Sequence, residues 1–536
     1  MRMTNYSRTP LRKFVIFISF FMLFFTLLIN CPARLLAQTK GGHLVYGTWQ
    51  TPDTLDVQSS SREVVFAIAW SYLDPLIRTR PGESWYYPGL ARKWNVSSDA
   101  KEYTFFLRKD VKFHDGTFLT ADAVKFSFDR IMNSRMKTKP VSLALGPYDR
   151  CEVVDKHTVK IYFKKPYGSF IQMASTVYIP IISPDAVKQF GGGYQFHVTG
   201  TGPFILEEYI PKSHATFVRN MNYHWGPHWS HEGPAYLDKV TYSFIPEDIT
   251  RIGSLRTRET NLIDGVKSNQ IYSVVRDKRL EIELTQLRGM PWAFVLNSQR
   301  FPTDDRIVRQ AISYTIDRER LIDPVYRGTN EPAYSPLEKG TLGYNKAVDK
   351  LSVYDPQKAK ELLEQAGWKK GADGIRVKDN RRLIVEAALP REQQKLSTVL
   401  QSQLKKIGLE LVIKEQSIQR THSIWSMKNY NMVLTSSYWP DPQLLNNWFA
   451  YDSNGELNWA HYINPKLGDL FLEAENTIFK SRRAEIYKGV QEFLIIDAVV
   501  IPLFGKSEVY GVRKEIEGID YSITGYPIFY ETYFTE

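Results

Sequence analysis

The segment TSSYWPDPQ, residues 435–443, places two aromatic side chains directly before a Pro-Asp-Pro step. Pro440 restricts Trp439 to an extended backbone, and a ring that is fixed in advance loses little entropy when a ligand binds. Asp441, with a proline after it, fits the start of a helix, which favours a structural role for this carboxylate over a catalytic one. Tyr438 and Trp439 therefore either contact a ligand or fill core.

A second group of residues that could do chemistry is the histidine cluster in NYHWGPHWSH. Its members His224, His228 and His231 fall within eight residues and could bind a metal ion. Gly226 and Pro227 interrupt any helix that would align the three rings, so a surface loop is the favoured interpretation. A nickel or zinc receptor remains an alternative hypothesis.

Sequence signatures of common catalytic sites are absent from the chain. It contains no GxSxG, HExxH or CxxC motif, and the GKS segment at 505–507 lacks the upstream glycine of a phosphate loop because Val500 stands there. The GTGP segment at 200–203 has no third glycine of a dinucleotide fingerprint. We therefore predict no catalytic residue, no cofactor and no metal site, with a secreted hydrolase that uses unrecognised carboxylates as the alternative.

The elements around these segments indicate a mixed α/β chain. Trp49 directly follows the first predicted strand. Helices are expected after the capping residues Thr120 and Asp355, and after Asp304 or Asp305. Alternation of apolar and polar residues predicts strands at 43–46, 103–107, 158–163, 204–206, 216–219 and 239–244.

The region before TSSYWPDPQ has a strand, helix, strand order. We predict a strand at 383–388, a helix at 395–407, and strands at 409–413 and 430–434. Such an order favours a parallel crossover, and ligands of parallel sheets lie beyond the carboxyl ends of the strands. The aromatic segment begins where the last of these strands is expected to stop, which places it at a ligand site.

The N-terminal residues 1–37 have the pattern of a secretory signal peptide. Basic residues precede an apolar run at 14–29, and a cleavage-like Ala37 follows. The run is shorter than the ~20 residues that span a bilayer, which disfavours a retained anchor. Lipidation of Cys31 is an alternative, but Asn30 is larger than the residue usually found before a lipidated cysteine. We expect a periplasmic protein.

Length and charge exclude other classes of protein. A chain of 536 residues is expected to form two or three domains. The net charge of +11 falls to +6 once the five cations of residues 1–37 are removed, and the remaining charges are interleaved, so no nucleic-acid partner is predicted. Cys151 then remains without a partner cysteine and is expected to be a small buried hydrophobe.

The segment YPGLARKWNVSSDAKEYTFFLRKDVKFHDGTFLTADAVKFSFDRI, residues 87–131, resembles the characteristic region of family 5 bacterial extracellular solute-binding proteins. These include the oligopeptide, dipeptide and nickel receptors of ABC importers. The likeness continues through TGTGPFILEEYIPKSHATFVRN, YDPQKAKELLEQAGW and VVIPLFGKSEVYGVR, and so spans essentially the whole mature chain.

The resemblance implies an α/β, two-lobed periplasmic-binding-protein fold of type II, in the large three-domain variety, with a hinge between the lobes. The hinge is expected near 294–297 and 500–503, and a monomer that delivers its solute to a membrane permease is implied. The expected divisions are a signal peptide at 1–37, lobe I at 38–76, 199–296 and 500–536, a mainly β subdomain at 77–198, and lobe II at 297–499.

Peptide-binding members of this family usually carry an Asp that pairs with the peptide ammonium, and the matching position here holds Tyr438. A phenol does not supply that charge, so peptide-like, opine-like or sugar-derived solutes, including oligosaccharides, all stay open. Alanine at position 438 or 439 is expected to weaken binding with little loss of stability. The predicted ligand-binding residues are Trp49, Trp292, Tyr438, Trp439 and Asp441.

Overall fold

The computed structural model describes residues 38–80, 83, 85–133, 138–417, 429–450 and 458–535. The predicted signal peptide and Cys31 lie outside the described residues. Within this part the chain is mixed α/β, as the sequence predicted, and its two largest sheets have seven and five strands.

The seven-stranded sheet is built mostly from the N-terminal half of the chain. Its central strand His43–Thr48 pairs in parallel with Leu262–Ile263 on one side and Lys239–Phe244 on the other. Every strand predicted between 204 and 244 is present, and those at 204–206 and 216–219 are longer than expected. The order across the sheet is Leu280–Gln286, Ser507–Arg513, Leu262–Ile263, His43–Thr48, Lys239–Phe244, His214–Arg219 and Phe204–Ile210.

The five-stranded sheet contains the predicted strand, helix, strand unit. The strand Ile384–Pro390 pairs in parallel with both of its neighbours, which confirms the parallel crossover. The helix between them begins as a 3-10 turn, Arg391–Leu396, and continues as Ser397–Lys405. The order across the sheet is Glu410–Gln416, Ile384–Pro390, Met432–Tyr438, Gly289–Leu296 and Val500–Phe504.

The five-stranded sheet is apolar on both faces, because alternate side chains of a strand enter different cores. One face contributes to a core with the helices of 306–405, through Phe294, Leu296, Met432 and Leu434. The other face contributes to the largest core of the protein, through Ala293, Val295 and Val433. A sheet covered on both sides holds its strand ends in fixed positions.

A four-stranded antiparallel sheet forms the mainly β region, in the order Ala91–Val96, Glu102–Leu107, Thr158–Phe163 and Tyr148–Asp155. Thr120 caps the adjacent helix Ala121–Met132 by accepting from the Ala123 N–H, as predicted. The smaller sheets comprise Gln38–Thr39, Tyr533–Thr535 and Ile516–Glu517; Lys369–Lys370, Arg376–Lys378 and Arg381–Arg382; Asp520–Tyr521 and Pro527–Ile528; and Ile77–Thr79 and Tyr86–Pro88.

Helix starts follow the predicted caps. Asp305 and Asp355 each accept a backbone N–H at the start of a helix. These two helices are Arg306–Thr315 and Pro356–Gln365. The remaining described α-helices are Glu63–Tyr72, Lys139–Leu145, Phe170–Met173, Pro184–Phe190, Asp248–Thr257, Ile271–Val275, Arg318–Tyr326, Leu444–Phe449, Pro465–Asn476 and Lys480–Ile496, with 3-10 turns at Val57–Ser59, Gly191–Phe196 and Lys346–Leu351.

The chain passes between the two large sheets twice. Leu280–Gln286 belongs to the seven-stranded sheet and Gly289–Leu296 to the five-stranded one, so the first crossing is at 287–288. Val500–Phe504 and Ser507–Arg513 likewise place the second at 505–506. The segments expected to form the hinge, 294–297 and 500–503, instead lie almost entirely within strands. The prediction was wrong because a run of apolar residues is compatible with a buried strand as well as with a segment that joins two lobes.

The strand before the aromatic segment is also longer than predicted. It runs Met432–Tyr438 instead of stopping at 434, so Tyr438 is its last residue and the loop begins at Trp439. The next helix, Leu444–Phe449, starts later than Asp441 would place it, and Asp441 accepts the Gln443 N–H at 2.9 Å in the turn before it. Because residues 435–437 are small and polar, the hydrophobic pattern did not show that the strand continues to Tyr438.

Two further observations concern the helices and the cysteine. None of the described helices is long and apolar enough to cross a membrane. Cys151 is buried, as predicted, and burial raises the pKa of its thiol to about 12. A thiol in that state is a weak nucleophile.

Candidate functional site

The carboxyl ends of the parallel strands in the two large sheets face each other. His43–Thr48 and Lys239–Phe244 end at one edge of the seven-stranded sheet, and Ile384–Pro390 and Met432–Tyr438 end at one edge of the five-stranded sheet. The crossings, only two residues each, join these edges and hold them together. Ligands of α/β proteins bind beyond such strand ends.

Lys506 and Tyr438 meet between the sheets. The Lys506 Nζ lies 4.1 Å from the centre of the Tyr438 ring. Burial raises the pKa of Tyr438 to about 12, although the nearby ammonium opposes that rise. Burial alone would lower the pKa of Lys506, but Tyr438, Glu508 and Glu63 together hold it above its ordinary value. Lys506 is therefore a firmly charged ammonium resting on an aromatic face.

Two carboxylates, those of Glu508 and Glu63, lie near this ammonium. Glu508 lies 3.5 Å from the Lys506 Nζ, and Glu63 stands in the first turn of the helix Glu63–Tyr72. Burial raises the pKa of Glu63, Lys506 opposes the shift, and Glu508 adds to it. Among the described residues, Lys506, Glu508 and Glu63 thus bring an ammonium and two carboxylates together beside the phenol of Tyr438.

Trp439 joins the five-stranded sheet to the mainly β region. Its ring centre lies 5.3 Å from that of Tyr178, and the residue is only 7% exposed. The indole N–H has no hydrogen-bond acceptor in the part of the chain that the structure describes. Nearby, the Ser169 hydroxyl donates to the Gln443 side chain at 2.5 Å, which draws the same two regions together.

Trp49 lies at the edge of the seven-stranded sheet, immediately after its central strand. Its backbone N–H donates to the Asp264 carboxylate at 2.9 Å, and the residue is 47% exposed. A Cβ on Gly265 would lie 2.6 Å from the Trp49 ring, so only glycine lets the ring rest there. Burial raises the pKa of Asp264 to about 6, despite hydrogen bonds from Thr48 and Trp49.

Trp292 lies on the opposite sheet, in the strand Gly289–Leu296. It is partly buried, and its ring centre is 6.2 Å from that of Phe504 in a stacked arrangement. The ring centre of Tyr326 lies 4.9 Å from that of Phe504. Trp292 thus belongs to an aromatic wall of the five-stranded sheet. Ligand contact by Trp49 and Trp292 stays a prediction.

Asp441 has a different environment from the aromatic residues before it. The residue is fully buried, and its two carboxylate oxygens accept from the Arg483 guanidinium at 2.7 and 2.8 Å. A carboxylate engaged in this way on both oxygens has little left to offer a ligand. This geometry supports the interpretation that Asp441 has a structural role and does not contact the ligand directly.

Glu338 ties the two crossings together. Its carboxylate accepts from the backbone N–H of Lys506 at 3.0 Å and from the Gln286 side chain at 3.3 Å. The residue is 5% exposed, and burial raises the pKa of its carboxyl to about 7. Sequence analysis missed Glu338 because no motif or residue spacing around it indicates this role.

The side chains of the histidine cluster do not meet at a common site. The two ring nitrogens of His231 lie 2.9 Å from the Glu531 carboxylate and 2.8 Å from the Pro234 carbonyl, while the His228 ring packs against Tyr87. Among the described residues, no group of three or more potential ligands is placed to hold a metal ion.

Sequence reasoning also missed the charged residues of the site. Lys506 was considered only as part of the rejected GKS segment at 505–507, and Glu63 and Glu508 were not singled out. Lys506 lies in the second crossing, Glu508 near the start of the strand Ser507–Arg513, and Glu63 at the start of the helix Glu63–Tyr72. That these residues come together can be recognised only when the fold is known.

Comparisons with known proteins agree with this architecture. The sequence model for "Bacterial extracellular solute-binding proteins, family 5 Middle" matches residues 86–456. Heme-binding protein A of Haemophilus influenzae is 27% identical over 480 residues, which cover 85% of each chain. The dipeptide-binding protein of Escherichia coli is 26% identical over 517 residues, covering 90% of this chain and 92% of that protein.

A solved structure has the same fold. HbpA2 from Haemophilus parasuis superposes with a TM-score of 0.80 at 23% identity, covering 92% of this chain and all of that one. The expected two-lobed fold of periplasmic binding proteins is therefore confirmed.

Proposed function

This chain belongs to family 5 of the bacterial extracellular solute-binding proteins, and we propose that it encloses one small organic solute between its two large sheets. The resemblance recognised in the sequence is confirmed, and the chain is a solute-binding protein. We infer that binding draws the lobes together, because contacts to both lobes exist only in the closed form and shift the equilibrium toward it.

The observation that carries the proposal is the contact between Lys506 and Tyr438. The ammonium lies beside the strand of one sheet and the ring ends a strand of the other, with 4.1 Å between the nitrogen and the ring centre. Trp439 makes a second bridge through Tyr178 at 5.3 Å. A solute seated here would touch both lobes at once.

The charges of the site suggest the chemistry of the solute. Lys506 favours a carboxylate or hydroxyl oxygen next to Tyr438, whereas Glu63 and Glu508 favour an amine or hydroxyl donor on the other side. An unmodified peptide ammonium placed at Tyr438 would be repelled by Lys506. A solute with separated acceptor and donor groups, opine-like or sugar-derived, fits better than an ordinary peptide.

The partners and location follow from the family and remain proposals for this chain. We infer that the closed protein docks on the permease of an ABC importer in the periplasm and acts as a monomer. The ligands of relatives differ, since one is named for heme and another for dipeptides, and neither name transfers to this chain.

The experiment that tests the proposal is to denature the purified protein and identify the released molecule by mass spectrometry. We expect close to one small organic molecule per chain, which then raises the Tm of the emptied protein when added back. The added molecule should be recovered unchanged. Chemical conversion of it by pure protein, or no release together with no Tm shift across peptide, opine and sugar collections, would overturn the proposal.

A further inference from the structure

The mainly β region meets the half of the protein built on the five-stranded sheet through Gly168. The Gly168 N–H donates to the Glu475 carbonyl at 2.9 Å, near the end of the helix Pro465–Asn476. The next residue, Ser169, donates its hydroxyl to the Gln443 side chain at 2.5 Å. Gly168 and Ser169 are both buried, although they lie in a turn. A turn of one half is therefore covered by residues of the other half.

The two sides of this contact are joined along the chain only through the crossings. The chain enters the half built on the five-stranded sheet at 287–288 and leaves it at 505–506. Gly168 precedes the first crossing, and the helix Pro465–Asn476 lies between the two crossings. Apart from the crossings, noncovalent contacts alone keep Gly168 against this helix.

Gly168 fits this contact because it has no side chain. A Cβ at this position would lie 2.3 Å from the Thr477 carbonyl oxygen, 3.0 Å from that of Glu475 and 3.2 Å from that of Ala474. All three oxygens belong to the backbone, so they cannot rotate away as a side chain would. The φ of Gly168 lies outside the left-handed region, so its own backbone is compatible with alanine. The requirement for glycine comes from the contact alone.

The turn that carries Gly168 is held from within the mainly β region. The Tyr167 backbone N–H donates to the Ala100 carbonyl at 3.0 Å, and the Tyr167 carbonyl accepts from the Tyr103 hydroxyl at 2.7 Å. The Tyr167 hydroxyl donates to the Ala144 carbonyl at 2.8 Å. None of these hydrogen bonds involves the other half of the protein, so the turn has its shape before the contact forms.

The helix end that receives Gly168 is likewise held from within its own half. The last carbonyls of a helix have no N–H donor within the helix. Here the Thr477 hydroxyl donates to the Glu473 carbonyl at 2.8 Å, and the Arg483 Nε donates to the Ala474 carbonyl at 3.3 Å. The helix end is therefore a preformed recess, and its carbonyls cannot shift freely to admit a methyl group.

We propose that Gly168 is a latch for the closure of the lobes, on which the function proposed above depends. A rotation about the crossings carries Gly168 away from the helix Pro465–Asn476 when the protein opens, and returns it when a solute draws the lobes together. The Lys480 ammonium, 4.5 Å from the centre of the Tyr86 ring, makes a further contact between the same two regions. Because closure is part of the binding equilibrium, Gly168 contributes to solute affinity without touching the solute.

The test compares purified wild type with Gly168→Ala, and the added solute is the molecule that denaturation releases from wild type. Gly168→Ala should bind it at least about tenfold more weakly, since the methyl group cannot enter the recess. The Tm of the solute-free variant should not fall, because the open form leaves space for the methyl group. In small-angle scattering, the molecule should make wild type more compact but not Gly168→Ala at the same concentration.

Two further variants make the test specific. Gly468→Ala adds the same methyl group to the helix that receives Gly168, where a Cβ would meet no atom of the other described residues within 4 Å, and should keep wild-type affinity. Ser169→Ala removes the neighbouring hydroxyl donor without adding bulk, and should weaken binding about three- to tenfold. Ser169→Ala also keeps the test decisive if Gly168→Ala does not fold.

The latch is contradicted if wild type binds the molecule and both Gly168→Ala and Ser169→Ala match its affinity, or if Gly468→Ala loses as much affinity as Gly168→Ala. A lower Tm of solute-free Gly168→Ala would contradict it too, because the contact would then be permanent. In each of these cases the function proposed above would stand. If wild type neither releases nor binds a molecule, that function fails, and the latch fails with it.

Discussion

The Lys506 ammonium lies 4.1 Å from the centre of the Tyr438 ring, although Lys506 directly precedes a strand of the seven-stranded sheet and Tyr438 ends a strand of the five-stranded sheet. This contact stands where the two chain crossings join the sheet edges. Any relative movement of the lobes must therefore change the surroundings of both residues, and a solute between the sheets must meet them.

Removal of the ammonium is expected to impair solute binding. Lys506→Met eliminates the positive charge that balances Glu63 and Glu508, and it deprives the solute of a charge-assisted contact. We predict about a 10- to 100-fold loss of affinity in calorimetric titration with the co-purified solute. Lys506→Arg keeps the charge and should lose less. Equal affinity in wild type and Lys506→Met would remove Lys506 from the site.

Two substitutions of Trp439 should separate binding from stability. Trp439→Phe keeps an aromatic ring but removes the indole N–H and part of the buried ring system, so solute binding should fall about tenfold while the loss of stability stays well below that of alanine. Trp439→Ala empties a buried position and should lower the free energy of unfolding by ~3–5 kcal/mol. This corrects the expectation from sequence that alanine here costs little stability. A Trp439→Phe variant with wild-type affinity would show that no solute accepts from the indole.

Asp441 is expected to act through the fold. Asp441→Ala leaves the buried Arg483 charge without its partner, which should lower the free energy of unfolding by ~3–5 kcal/mol in urea titrations. The exposed pair of Arg382 and Asp373, 2.7 Å apart, is the matched control. Asp373→Asn should cost less than ~1 kcal/mol. Comparable losses for the two variants would contradict the structural role of Asp441.

Glu338 should make stability depend on pH. Burial raises the pKa of its carboxyl from 4.5 to about 7, so the folded state holds the proton more tightly than the unfolded state. Its contribution is fully present below pH 4.5 and is lost as the pH rises through 7. Relative to Glu338→Gln, wild type should lose about 3 kcal/mol of stability across that range. A difference that is constant with pH would contradict this.

The sequence predicted the elements of this fold better than their contacts. The caps depend on local hydrogen bonds: Thr120 and Asp355 were predicted correctly, and Asp305 is one of the two residues, Asp304 and Asp305, that were expected to cap the third helix. The parallel crossover at 383–413 followed from period and order alone. The hinge was expected at 294–297 and 500–503, whereas the chain passes between the sheets at 287–288 and 505–506, because a continuous apolar pattern does not show where a buried strand ends.

Within the candidate site, too, local signals could be recognised in the sequence and contacts between distant residues could not. Tyr438 and Trp439 were predicted from a local signal, a proline-restricted aromatic pair after a strand. Lys506, Glu63 and Glu508 are separated from them along the chain and meet them only through the sheet order. The partner of Asp441 was equally invisible, since Arg483 is on a helix 42 residues away.

The most direct test of the central claim is a crystal structure of the protein with its co-purified solute. We predict that the solute lies between the seven-stranded and five-stranded sheets, with an oxygen atom within hydrogen-bond distance of Lys506 and a face against Trp439. A solute bound elsewhere, or one that contacts only one of the two sheets, would contradict the account.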